Sequence, residues 1–353
     1  MNVLEGFEAG EILFAEINRL GIESLTAGYV LMDKEGVNGF NYTPDPSTKK
    51  VLPLPVIIPH NETVHMQQVV DNWKKGNQFY FVEMDEAETI KHQTFIAERS
   101  TNFTLNAEQL IAISPSRLFL HNFYFKEGYI LIVGGIKLSA EQIEIMLRFA
   151  KVFQQTYTRF QDLQKAEAQT KEAQIEAALE KVRSRTMAMQ NSNELQETAA
   201  VLFQEFRKLG AEDMYQVTIG IYDEASQLID FRVTSWSGSG EQESRAFQLD
   251  MNEPTVLQPA VQAWKNQQKS VVIDLSGAKL EGWLEYRNKM SGVTVSSADT
   301  GGRRVISAAF YSKGHLSIST KEPVSAETLH TLERFAAVFD VTYTRFQDLQ
   351  KAE

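Results

Sequence analysis

Apolar residues along this chain recur in two rhythms, one of helical spacing and one of period two, and the second half repeats the series of the first. In the second half Leu195, Ala199, Leu202, Phe203 and Phe206 follow helical spacing between Asn193, suited to capping, and Gly210, which ends the helix. Strands are predicted at 215–222 and 228–236, joined by the turn Asp223-Glu224-Ala225-Ser226, with a third at 246–249. A helix at 253–266, where Pro254 suits the first turn, a strand at 271–275 and a helix at 277–289 follow. A long hairpin, 305–311 and 315–319 about Ser312-Lys313-Gly314, leads to a last helix starting at Ser325. The first half reads in the same order, with strands near 27–32, 52–58, 79–84, 117–125 and 129–133 and a last helix from Ser139. Grouped hairpins predict an antiparallel sheet with helices on its faces in each half. That is an α+β fold, not the alternating order of a doubly wound one.

The repetition is explicit in the residues. TYTRFQDLQKAE occurs at 156–167 and again at 342–353. LFAEINRLG at 13–21 matches LFQEFRKLG at 202–210, and FYFKEGYILI at 123–132 parallels AFYSKGHLSI at 309–318. NETVHMQQVVDNWKKG at 61–76 parallels NEPTVLQPAVQAWKNQ at 252–267, which matches Trp73 to Trp264 as core residues. The offset drifts, 189 at Gly21/Gly210, 191 at Asn61/Asn252 and 186 at Gly128/Gly314, as insertions in loops on a shared scaffold would make it.

No Gly or Pro occurs from Ile136 to Leu209. A helix from Ser139 to about Gln190 would be roughly 75 Å long at 1.5 Å per residue, and its weak point is Asn191-Ser192-Asn193. Ile143, Met146, Ala150, Phe153, Tyr157 and Phe160 form a seam with alternating spacings of three and four, repeated as Leu329, Leu332, Ala336, Phe339, Tyr343 and Phe346. Such a seam serves a coiled coil, or packs on the chain's own sheet over its first turns. Beyond Tyr157 the helix outruns its domain. A parallel homodimer is therefore expected, with Phe153, Tyr157 and Phe160, and likewise Phe339, Tyr343 and Phe346, meeting their mates. The seam weakens at Glu167, Thr170 and Gln174, and Ile175, Leu179, Val182 and Met189 restore it at a shifted phase.

Composition narrows the classes. The 353 residues suffice for two or three domains. Without cysteine there is no disulfide scaffold, cysteine–zinc site or cysteine nucleophile. No apolar run reaches the ~18 residues of a membrane span. The opening residues MNVLEGFEAGE lack the basic and apolar regions of a signal peptide, so a cytoplasmic location is expected. A net charge of −11 argues against nucleic acid as a partner.

Residues 166–210, AEAQTKEAQIEAALEKVRSRTMAMQNSNELQETAAVLFQEFRKLG, resemble the inter-domain linker of bacterial multidomain sensor histidine kinases with GAF-like input domains. There an ALE-VR-R-MAM run precedes each sensory domain and RF-DLQKAEAQ closes one. The resemblance spans both copies and the linker, and is specific at the linker. It implies two tandem GAF-like domains, 1–165 and 191–353, joined by a helical linker at 166–190. The implied function is signal input in a two-component system: a small ligand alters a domain and the helix transmits the change. The chain ends at KAE, where the first copy's linker continues, so a C-terminal output domain is expected beyond it. No phospho-acceptor His box, ATP-binding glycine set or cyclase signature is present.

Catalysis is not expected, since no nucleophile–base constellation stands out, and no cofactor or metal is implied. Of the histidines, His60, His65, His92, His121, His315 and His330, the pair His60 and His65 lies five residues apart and does not share a helical face. SWSGSGEQ at 235–242 lacks the third glycine and the helix of a phosphate cradle. Gly301-Gly302 followed by Arg303-Arg304 opens a strand whose arginines could meet an anion or simply be solvated. Asp33, Glu35, Asp223 and Glu224 fall at hairpin turns, where acids are expected for conformational reasons. The resemblance puts Trp236, Trp283, Tyr286 and Arg303 of the second copy, and Phe40, Tyr42, Phe95 and His121 of the first, near the sheet and its covering helices as ligand-pocket candidates. Aromatic residues at such positions also serve as core. The alternative reading is a ligand-free dimerisation scaffold, with an enzyme ranked far below. A cavity over about 300 Å³ favours sensing, and close-packed cores favour the scaffold.

Overall fold

The computed structural model describes residues 3–50, 52, 54–191, 194–211, 213–236 and 242–352. The chain divides into two compact units, Met1–Glu167 and Ala168–Glu353. The first contains α1 (Val3–Arg19), β1 (Thr26–Met32), β2 (Asn38–Tyr42), β3 (Val56–Pro59), α2 (Val64–Lys74), β4 (Phe79–Met84), α3 (Glu86–Arg99), α4 (Ala107–Ile113), β5 (Leu118–Phe125) and β6 (Gly128–Gly134). It ends within α5 (Ala140–Met187). The second contains the rest of α5, then α6 (Leu195–Lys208), β7 (Gln216–Asp223), β8 (Leu228–Trp236), β9 (Gln242–Asp250), α7 (Leu257–Lys265), β10 (Ser270–Ser276), α8 (Gly277–Ser291), β11 (Arg303–Tyr311), β12 (Gly314–Thr320) and α9 (Ala326–Ala352).

Each unit is built on a six-stranded antiparallel sheet. The orders are β3-β2-β1-β6-β5-β4 and, from the matching edge, β9-β8-β7-β12-β11-β10. These are the same topology, as the duplicated sequence requires. In each sheet the strand after the first helix and the last strand pair at the centre (Tyr29↔Ile130, Ile219↔Leu316), so the last hairpin lies in the middle of the sheet. Its strands are covered on both faces. Every residue of β5 is buried, and its LFLHNFYF reads as a continuous apolar run rather than an alternation.

One face of each sheet carries the helices from the two ends of the unit. In the first, Leu13 and Ile17 of α1 and Met146 and Ala150 of α5 pack on Tyr29, Phe123 and Ile130. In the second, α6 and α9 pack with Ile175, Ala178, Leu179 and Val182 of α5 on Val217, Ile219 and Ile318. The segment expected to be a helical linker, 166–190, is largely exposed but contributes Ile175, Ala178, Leu179, Val182 and Met189 to the second unit's core. The other face carries α2, α3 and α4 in the first unit and α7 and α8 in the second.

The seam residues pack inside each unit. Phe339, Tyr343 and Phe346 are buried in the second unit's core, with Phe339 and Tyr343 against Tyr311 at ring distances of 5.0 and 6.3 Å. Phe153 packs on Tyr29 and Phe125 at 5.0 and 5.1 Å, Tyr157 stacks on Phe153, and Phe160 is half-buried. The three-and-four spacing therefore answers to the chain's own sheet, the alternative the sequence left open.

Other differences have local causes. β2 is not foreshadowed in the sequence because NGFNY has little apolar content; it is held by pairing with β1. The strand expected at 52–58 starts at Val56, and residues 51 and 53 lie outside the described residues. The helix expected from 253 starts at Leu257, because the Glu253 carboxylate accepts the N–H groups of Thr255, Val256 and Leu257 at 2.8–3.0 Å. The capping pair Ser192-Asn193 lies outside the described residues. The turn acids behave as expected: Asp33 accepts from the N–H groups of Val37 and Asn38, and Asp223 from Ala225.

A glycine under a histidine recurs in both units. A Cβ on Gly220 would collide with the His315 imidazole, and one on Gly39 with that of His60. Each ring bonds a tyrosine hydroxyl, His315 Nδ1 to Tyr222 at 3.0 Å and His60 Nε2 to Tyr129 at 2.7 Å. Gly220→Ala should therefore destabilise the second unit by about 1–3 kcal/mol through overpacking, read as a lowered urea midpoint.

Candidate functional site

The second unit has a cleft of about 550 Å³ beside the ends of β7, β8, β9 and β11 and the C-terminal end of α8. Its volume lies in the range of small-molecule sites. Tyr215, Val233, Phe247, Val293 and Val295 give it apolar and aromatic walls. Three arginines also line it: Arg245, paired with Glu243 at 2.8 Å, and the two buried residues Arg287 and Arg304. Arg304 of β11 is 2% exposed and Arg287 of α8 is 6% exposed. Both donate to the same oxygen, Gln216 Oε1, from Arg304 Nη2 at 2.8 Å and Arg287 Nη2 at 3.2 Å. Arg304 also donates to Ser319 Oγ at 3.1 Å and lies over the Tyr215 ring at 5.0 Å. Gln216 is held in turn by its amide, which donates to Thr218 Oγ1.

Neither guanidinium meets a carboxylate. Arg287 Nη1 and Arg304 Nε are buried without a hydrogen-bond partner. Burial, and then the charge of Arg304, pushes Arg287 down to about 10, and burial lowers Arg304 as well. Sharing one acceptor puts the two charges within about 6 Å, a repulsion of about 3 kcal/mol at an effective dielectric of about 20. The acids lining the cleft are engaged elsewhere, Glu243 with Arg245 at 2.8 Å and Asp299 with Ser296. Buried charge without a counter-charge is costly, so the two arginines are poorly compensated where they lie.

The equivalent face of the first unit is different. Its cavity is about 80 Å³, lined mainly by Val56, Ile58, Met66, Ile96, Leu110 and Leu120, with Asn41, Gln93 and Asn122 as polar edges. Leu118 stands at the position of Arg304, so no charge faces it. Beside it His65 Nε2 and His92 Nδ1 bond at 2.8 Å. Burial pushes His92 down to about 3 and also lowers His65 and His60. Among the described residues no cluster of three or more His, Asp or Glu side chains could hold a metal ion.

Several site candidates lie next to a residue that lines a cavity. Arg303 points away from the cleft and pairs with Asp274 at 2.7 Å and with Glu322; Arg304 takes the cleft side. Tyr42 stacks on Tyr29 under the terminal helices and Phe40 shares its parity on β2, while Asn41 between them lines the cavity. His121 is stacked among Phe79, Phe81 and Phe119 and accepts the Leu138 N–H at 3.2 Å, while its neighbour Asn122 faces the cavity. Adjacent strand residues face opposite ways, so a slip of one exchanges pocket for core. Trp236, 41% exposed, borders the cleft at the end of β8, but its ring packs on Phe203 at 5.8 Å and under Arg207 of α6, on the other face. Trp283 is core, Tyr286 accepts the Asp250 N–H at 2.8 Å, and Phe95 packs beside Val56 and Met66. Sequence reasoning misses Arg287 and Gln216; an arginine on a helix of low amphipathicity gives no signal of being buried.

The neutral histidines set a pH dependence. His92 at about 3 and His315 at about 4, both lowered by burial, bind fewer protons folded than unfolded between those values and about 6.5. Stability should therefore fall as pH drops below about 6.5, by about 2 kcal/mol per imidazole between pH 7 and 5, and His315→Gln should flatten the second unit's share. Urea melts at the two pH values check it. No model of a known protein family matches this chain, and no curated protein matches it either.

Proposed function

We propose that the chain is a signal-input module of a larger signalling protein of the sensor histidine kinase kind: two GAF-like units, of which the second senses a small ligand, coupled through long helices to an output domain. The supporting observation is α5. This 48-residue helix, about 70 Å long, contributes Met146 and Ala150 to the core of the first unit and Ile175, Ala178, Leu179 and Val182 to that of the second. A repacking in either core therefore acts on one continuous helix. Nearly every residue from 161 to 174 is exposed, so the helix between its two anchors is held by its own backbone. The cleft by Arg287 and Arg304 exceeds the size a ligand needs, which favours sensing over a ligand-free scaffold. The first unit, with its small apolar cavity, fits the scaffold role.

The homodimer belongs to this reading, on a different face from the phenylalanine seam. In the second unit Thr331, Phe335, Val338 and Thr342 of α9 lie beneath α5, which is fixed by Arg334 to Glu172 and Glu176 and by Lys181 to Glu205. The matching residues of the first unit are Ile145, Phe149, Val152 and Thr156. They run at the same spacing, are half-buried or exposed, and Val152 is 61% exposed. An open apolar stripe whose twin is covered by a helix suits a second copy.

Val152→Glu should turn a dimer into a monomer in sedimentation without unfolding, whereas Phe346→Glu should unfold the second unit. A chain already monomeric at high micromolar concentration would remove the dimer from the proposal. For transmission, one residue inserted after Gln169 rotates the downstream part of the helix by about 100°, and four make nearly a full turn. With an output domain fused after residue 353, the single insertion should change output strongly and the fourfold one less. Equal outputs would reduce α5 to a tether and favour the scaffold.

A further inference from the structure

We propose that the cleft of the second unit binds a small organic anion, a phosphate monoester or carboxylate with an apolar body, whose charge lies toward Arg287 and Arg304 and whose body lies against Phe247, Val293 and Val295. This deepens the sensing reading, and rests on it, by naming the ligand class.

Three observations converge. The two guanidiniums are more than nine-tenths buried, converge on Gln216 Oε1, and keep Arg287 Nη1 and Arg304 Nε unpartnered. A network serving only to clamp α8 to the sheet would stabilise the fold more with an acid at the Gln216 position, because a carboxylate would neutralise the pair; the amide leaves the positive charge open to a ligand. Arginine is suited to that ligand, since its planar fork matches carboxylate and phosphate oxygens. Away from the arginines the walls change character, where Val233, Phe247, Val293 and Val295 offer apolar surface. Finally, the feature is confined to one copy: Leu118 and Thr26 of the first unit stand where the second has Arg304 and Gln216. A shared structural device would be expected in both.

The test is titration of the full chain at low salt with phenyl phosphate, benzoate, inorganic phosphate and phenol, by calorimetry, on the wild type, Arg287→Gln, Arg304→Gln and Arg303→Gln. Phenyl phosphate or benzoate should bind wild type and Arg303→Gln alike, more tightly than inorganic phosphate, and phenol should not bind. Arg287→Gln and Arg304→Gln should each weaken binding about tenfold or more. Without ligand, Arg287→Gln should hold or raise the melting temperature, because it removes a buried like charge. That outcome separates lost binding from lost fold.

Equal binding by all variants, binding of phenol as tight as that of phenyl phosphate, or no binding up to about 10 mM, beyond any useful affinity, would overturn the inference. So would a lowered melting temperature in Arg287→Gln together with unchanged affinity. Amide exchange in α9 and in residues 168–187 keeps the two readings apart. Anion binding that leaves these helices unchanged counts against signalling and not against the ligand class. No anion binding, with output still dependent on insertion phase, counts against the ligand class alone.

Discussion

The alternation of side chains across each antiparallel sheet governs the rest of the structure. A strand presents successive residues to opposite faces, and here the two faces have unlike tasks. One is sealed by the helices from the two ends of the unit, with Tyr29, Phe123 and Ile130 in the first copy and Val217, Ile219 and Ile318 in the second. The other meets α2–α4 or α7–α8, and the cavity of the first unit and the cleft of the second lie there. Because the last hairpin lies at the centre of each sheet, its residues belong to both layers at once: Ala309 and Tyr311 join the helix-covered core, while Ile306 joins the opposite one. A change on the cleft face thus has one peptide unit to cross to reach the face that holds α9.

The duplication shows which parts of this plan tolerate divergence. Strand order is identical, and so are small devices on the central hairpin. Trp73 Nε1 donates to the Phe125 carbonyl at 3.2 Å, and Trp264 Nε1 to the matching Tyr311 carbonyl at 3.0 Å. The second face has diverged in chemistry. The first copy closes it with aliphatic side chains around about 80 Å³; the second leaves about 20 Å³ at the matching place and opens a cleft of about 550 Å³ beside it, with two buried arginines. An uncompensated buried pair of like charges opposes folding, so a core of 23 buried apolar residues on the opposite face is what holds it in place.

Fold class, the duplication and the long helix are legible in the sequence because they rest on patterns many residues long. A breaker-free run from Ile136 to Leu209 admits little besides helix, and α5 ends at Met187, close to the weak point at Asn191-Ser192-Asn193. The site is less legible because it rests on parity, which single residues decide. LFLHNFYF is apolar on both sides, so nothing local tells His121 from Asn122. Arg303 and Arg304 are neighbours of one kind, and only the pairing of Ser276 with Arg303 and Leu275 with Arg304 sorts them. A strand at the sheet's centre loses the polar alternation that would reveal its facing, and those are the strands that line a buried pocket.

The same limit governs the helical seams. Phe153 and Phe339 head closely similar stretches, yet the outer face of one helix is open and that of the other is covered. The difference lies in the residues that precede α6. There, residues 171–187 bring a second apolar stripe, Ile175, Ala178, Leu179 and Val182, with acids placed for Arg334 and a lysine for Glu205. Arg148 and Glu16 keep the receptor side of those pairs in the first unit. A helix face complementary to a known helix, in shape and in charge, is a constraint on whatever covers it. The covering helix must present small and branched apolar residues at spacings of three and four, with acid on one flank and base on the other. Two copies meeting about a two-fold axis satisfy this if each offers its own Arg148 to the acids of its mate, and Glu141 and Glu144 lie on the neighbouring turn of α5 to receive it.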